Sequence, residues 1–186
     1  METDRQNAAL EDIRTLYRAL DHALEIDTGS VRLTLSTRMV RQYGVCCLRA
    51  EKPVEIRLAA FLLDEPEQLR QTALHEYAHA AAALLSGKRH GHDALWKALC
   101  VRVGCRPERL SQPCPAAKRR AQEYQSARAG APRYLVTCTG CGAVSRYTRR
   151  GKVVQALEMR PGMTGCICKR CGARHFTLEV QRGNEA

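Results

Sequence analysis

Residues 71–86, QTALHEYAHAAAALLS, place His75, Glu76 and His79 in the order His-Glu-x-x-His. The chemistry this pattern offers requires a helix. On an α-helix, residues four apart lie about one turn apart on one face, so His75 and His79 project side by side and can share one tetrahedral cation. Glu76 stands in the next row, where it can act as general base on a water held by that cation. A catalytic zinc of this kind takes three protein ligands and keeps one position open. The chain must therefore supply a third ligand from outside the motif.

The flanking sequence agrees with a helix. Asp64 can cap it, Pro66 suits its first turn, Glu65 and Glu67 suit the positive end of the dipole, and Gly87 suits its C-cap. The longer motif that continues as His-x-x-Gly-x-x-His is absent, because Ala82 and Leu85 occupy those positions. The third ligand is expected from the connection GKRHG or the start of the next helix, DALWKALCVRV, which Gly104 closes. Both His90 and His92 lie there. His92 immediately precedes the helix that carries Trp96, whereas His90 reads as a solvated loop histidine.

Upstream, Leu10, Ile13, Leu16, Tyr17, Leu20 and Leu24 recur at helical steps and predict an amphipathic helix over residues 4–26. VRLTLS and VEIRLA alternate as half-buried strands do, and RQYGVCCLRAEKP between them reads as a turn or hairpin connection. The fold class expected is α+β. No run of eighteen apolar residues occurs, and the charged N-terminus lacks a signal-peptide core, so a cytoplasmic protein with no membrane partner is expected.

Ten cysteines in such a compartment point to metal rather than disulfides. Cys138 and Cys141, then Cys168 and Cys171, form two Cys-x-x-Cys knuckles separated by 26 residues, each followed by a glycine, Gly142 and Gly172. Four thiolates close the coordination sphere of one structural zinc. Cys46, Cys47, Cys100, Cys105, Cys114 and Cys166 follow no ligand pattern and read mostly as buried thiols.

Charge divides the chain. Residues 1–115 carry 16 Lys/Arg against 15 Asp/Glu, and residues 116–186 carry 14 against 4. A near-neutral body joined to a basic segment is the footprint of a polyanion-binding module. Between the knuckles, AVSRYTRRGKVV is expected to form a hairpin turning at RRGK, with Arg146, Tyr147, Arg149, Arg150 and Lys152 as candidate nucleic-acid contacts. Tyr134 and Phe176, flanked by Arg133 and by Arg174 with His175, read either as further stacking positions or as core of this segment, with core the favoured reading for Phe176, and Tyr147 fits contact and core equally. Lys118, Arg119 and Arg120 extend the basic face or form a solvated helix.

Together these motifs resemble the SprT-like zinc metallopeptidase family, which pairs His-Glu-x-x-His with a later His-Gly-x-x-aromatic. GHDALW sets His92 four residues before Trp96, matching that spacing, with Asp93 at the family's glycine. The resemblance extends upstream through the glycine-containing hairpin and downstream into the cysteine knuckles, over about residues 10–182. It implies a zincin-like catalytic domain at 1–115, a basic helix and linker at 116–132, and a β zinc ribbon at 133–182. It selects His92 with His75 and His79 for the catalytic zinc and assigns Trp96 to packing behind His92. The substrate class it implies is protein bound or crosslinked to DNA, with single-stranded character in the DNA. A monomer of the compact bacterial or phage form is expected. A non-enzymatic DNA-binding zinc protein and a peptidase of free proteins are the alternatives.

Overall fold

The computed structural model describes residues 2–109, 113–129 and 133–181. The described chain is α+β and divides into two compact units, residues 1–122 and 123–186. Most of the AGAP stretch, 130–132, lies outside the described residues.

In the first unit, α1 (Glu2–Leu24) precedes β1 (Arg32–Ser36), β2 (Gly44–Arg49) and β3 (Lys52–Ala59). β3 is central, parallel to β1 and antiparallel to β2, so β2 is an edge strand. A short 3-10 helix, Ala60–Asp64, leads into α2 (Pro66–Ser86), and α3 (Ala94–Val103) follows. α2 packs on β2, β3 and α3. Its alanines at 73, 78 and 80–83 are buried, and their small side chains let neighbouring elements close on it from several sides. α1 is tied to α2 at two points: Tyr17 Oη donates to the Ala73 carbonyl at 2.7 Å and Tyr77 Oη donates to Asp21 at 2.8 Å.

Three local expectations are corrected. RQYGVCCLRAEKP contains a full strand, β2, joined to β3 by a tight turn at Ala50 and Glu51 with φ of 46° and 64°. Such turns favour Asn-Gly, and without those residues the strand ending had no marker. Asp64 does not cap α2. Glu65 holds the cap position, while the Asp64 carboxylate pairs with Arg5 and Arg119 at 3.1 and 3.0 Å.

The third correction falls in the second unit. AVSRYTRRGKVV is not a hairpin: β5 (Val144–Tyr147) gives way through RRG to α5 (Lys152–Met159). Val154 and Leu157 are buried on α5, so helical spacing from Val153 onward outweighs the earlier alternation. α4 (Pro115–Ala129) runs across the boundary between units, and β4 (Arg133–Cys138), β6 (Gly162–Met163) and β7 (His175–Gln181) complete the elements. The sheet is antiparallel in the order β5-β4-β7-β6. Tyr134 and Phe176 are buried, and Tyr147 is half-buried against the core around Val136, Leu157 and Phe176. No helix among the described residues is long and apolar enough to cross a membrane.

Candidate metal centres

α2 presents His75 and His79 on one face, and the loop after it returns His92 to the same point. His92 Nε2 lies 3.2 Å from His75 Nε2 and 3.3 Å from His79 Nε2. Three imidazole nitrogens bound to one zinc at about 2.0–2.1 Å in a tetrahedral arrangement stand about 3.3–3.4 Å apart. The donor set and its spacing fit a metal ion.

Burial drives the rings toward neutrality. His75 and His79 are each pushed down to about 4, first by burial and then by neighbouring imidazoles, and His92 is lowered by burial and by the Arg109 charge. Neutral rings offer lone pairs, as a ligand must. Trp96, fully buried, packs against all three rings at centroid distances of 4.7, 5.2 and 4.5 Å to His75, His79 and His92. It thus backs the whole group, more than the packing behind His92 expected from sequence.

Glu76 is buried, and burial pushes its carboxyl up to about 7 although the Cys46 backbone N–H donates to it. Gly44 lies against it: a Cβ there would stand 2.7 Å from Glu76 Cγ and 2.8 Å from Thr72 Cγ2. β2 can approach this face of α2 so closely only without a side chain. Glu76, His75, His79 and His92 line one cavity of about 670 Å³ with Gly44 to Cys46 of β2 and with Arg41, Arg89 and Arg109. Burial, with the Glu76 charge second, pushes the Cys46 thiol up to about 12.

His90 is outside the three-histidine group but is not a solvated loop residue. Its side chain is 11% exposed, with Nδ1 2.8 Å from Asp93 Oδ2 and Nε2 2.7 Å from Ser86 Oγ. Sequence reading missed these contacts, and it missed the three arginines. The arginines are far apart in the chain and share no motif.

In the second unit, Cys138, Cys141, Cys168 and Cys171 bring their sulfurs within 4.8 Å of one another. Cys138 Sγ is 3.5 Å from Cys171 Sγ, and Cys141 Sγ is 3.7 Å from Cys168 Sγ. Sulfurs around one zinc at about 2.3 Å stand about 3.8 Å apart, so this group also fits a metal. Gly142 and Gly172 take φ of 68° and 76°, and each amide donates to the carbonyl of its knuckle's first cysteine at 2.9 Å. The backbone N–H groups of Arg170 and Cys171 lower the Cys168 thiol to about 6. Cys166 is exposed and stands outside the group. Cys100, Cys105 and Cys114 are buried, and Cys46 and Cys47 half-buried.

The candidate nucleic-acid contacts differ among themselves. Arg146, Arg149 and Lys152 are exposed, Tyr147 packs against the core, and Arg150 is paired with Glu158 at 2.6 Å. In the first unit, Arg120 donates to the Thr37 carbonyl, so this residue and Arg119 are partly committed to the fold.

A search of curated proteins finds no match. A family model described as SprT-like matches residues 13–119, more than half of the chain, and this span contains all three histidines and Glu76.

Proposed function

The chain belongs to the SprT-like family, and from that premise we propose that it is a zinc-dependent endopeptidase acting on proteins bound or crosslinked to DNA. The observation that carries the reading is the convergence of three neutral imidazoles in a cavity that also holds a buried carboxyl. In this reading the first unit is a zincin-like catalytic domain and the second a zinc ribbon. His75, His79 and His92 would hold a catalytic zinc, and the four cysteines a structural one.

Bound zinc supplies a Lewis acid that polarises a carbonyl and acidifies water. Glu76 takes a proton from the attacking water and returns it to the departing amine. Burial suits it to both tasks, because a carboxyl held near neutrality exchanges protons readily at pH 7. The edge strand β2 supplies residues 44–46 to the cavity wall, so an extended peptide can lie along it. Trp96 packs behind the ligands and takes no part in proton transfer.

The choice of substrate rests on charge. Arg41, Arg89 and Arg109 line the cavity, and Glu76 is its one acidic lining residue among those described. The excess of basic residues after 115 adds a surface for single-stranded DNA, with Arg146, Arg149 and Lys152 exposed for it. DNA held there raises the local concentration of its attached protein. The test is cleavage of a DNA-crosslinked protein by wild type and by Glu76→Gln, with zinc and DNA binding measured on both. Glu76→Gln is expected to lower cleavage by about 10²-fold or more with zinc and DNA binding intact. Unchanged cleavage overturns the mechanism. Equal cleavage of free protein with and without single-stranded DNA overturns the substrate class.

A further inference from the structure

The segment from Ser86 to Asp93 carries His92 back to α2, and its hydrogen bonds form one connected chain. Ser86, the last residue of α2, bonds the Ala82 carbonyl through Oγ at 2.6 Å. The same oxygen meets His90 Nε2 at 2.7 Å, and His90 Nδ1 meets Asp93 Oδ2 at 2.8 Å. The other Asp93 oxygen accepts from the Trp96 amide at 3.1 Å and caps α3. Asp93 has φ −82° and ψ −172°, extended backbone open to any residue, so aspartate at this position costs no strain. On the outer side, the Arg89 amide donates to the Glu51 carboxylate.

These contacts converge on the metal ligands. The Nε2 atoms of His75, His79 and His92 face one another, which leaves Nδ1 of His79 pointing away. The backbone of His90 lies beside the His79 ring. The position of His92 depends on the loop that these hydrogen bonds hold, and the same loop passes beside His79.

We propose that Ser86, His90 and Asp93 form a clamp that positions His79 and His92 for the metal, linking the C-terminus of α2 to the cap of α3. The proposal rests on the reading of the three histidines as metal ligands. The same three residue types occur in nucleophilic triads, but here the hydroxyl is engaged by the carbonyl of its own helix, and Ser86 acts as an anchor. Partners of metal-ligating histidines typically alter metal affinity roughly 10–100-fold when removed.

The test uses the full chain and zinc itself. Chelator competition is run on wild type, Ser86→Ala, His90→Ala and Asp93→Asn, with a His75→Ala/His79→Ala variant identifying which equivalent belongs to the histidine site. Asparagine keeps the α3 cap and removes only the charged partner of His90. His90→Ala is expected to weaken zinc at the histidine site roughly 10–100-fold. The four-cysteine site and the urea midpoint of the metal-free first unit, read by Trp96 fluorescence, should stay unchanged. Adding Ser86→Ala to His90→Ala should cost little more, because both break one chain of contacts. Wild-type zinc affinity in both His90→Ala and Asp93→Asn overturns the clamp, as does an equal loss of metal-free stability in every variant. Covalent labelling of Ser86 by a fluorophosphonate would overturn it in favour of a nucleophile. If wild type takes up no zinc at the histidines, the clamp and the metallopeptidase reading fall together. If it does and the variants match it, the clamp alone falls.

Discussion

Glu76 and the two histidines of its helix are perturbed in opposite senses by one cause, burial. His75 and His79 fall from 6.5 to about 4, so between those values the unfolded metal-free chain binds more protons than the folded one. Their effect is absent above pH 6.5 and destabilises the fold increasingly as pH falls toward 4. Glu76 rises from 4.5 to about 7, so the folded chain keeps a proton that the unfolded one has lost. That contribution is full below 4.5 and is lost as pH rises through 7. Two imidazoles outweigh one carboxyl, and the metal-free first unit should lose stability from pH 6.5 down to about 4.5. Glu76→Gln removes the opposing group, so its acid loss should be steeper and its stability above pH 7 greater than wild type. Urea midpoints across pH, read by the single tryptophan, Trp96, check this. Parallel curves for the two proteins would show that Glu76 titrates as an exposed carboxyl.

At the scale of elements, α2 and α3 meet through Trp96, which has no exposed surface and touches all three imidazoles. Trp96→Ala should cost about 3–5 kcal/mol in chemical denaturation followed by circular dichroism, and Trp96→Phe much less. Matching stabilities for Ala and Phe would mean that the site collapses around the gap. α2 was legible because its ligand spacing, Pro66 and Gly87 all describe one helix. β2 was legible only through the family's glycine-containing hairpin, because its turn uses Ala50 and Glu51 where Asn and Gly would announce it. α5 was hidden by its length of eight residues and by the alternation before it. His92 could be chosen over His90 only through the spacing to Trp96 in the family pattern. The partners of His90 come together through tertiary folding of the loop and leave no periodic trace.

For the whole molecule, the uneven charge makes salt the sharpest probe. If exposed Arg146 and Arg149 each meet a phosphate of single-stranded DNA, replacing both by Ala should reduce the slope of log affinity against log salt by about 1.4. Arg150→Ala should change it less, because Glu158 already engages that guanidinium. Equal effects from all three would remove the distinction drawn from the ion pair. The cysteine knuckles were legible because thiolate pairs and glycines follow a local rule. The commitment of Arg119 and Arg120 to the first unit was not, since Asp64 and Thr37 lie far away in sequence.

The contact of Gly44 with Glu76 makes the two sides of the cavity mechanically unequal. On the strand side there is no slack: a single carbon added at Gly44 would sit 2.7 Å from Glu76 Cγ. On the other side the wall is the connection through Arg89, His90 and Gly91, pinned by side-chain hydrogen bonds that can be exchanged with water. In the peptidase reading the two walls then have different tasks: the strand would be the rail along which a peptide is laid, and the loop would keep the histidines facing it.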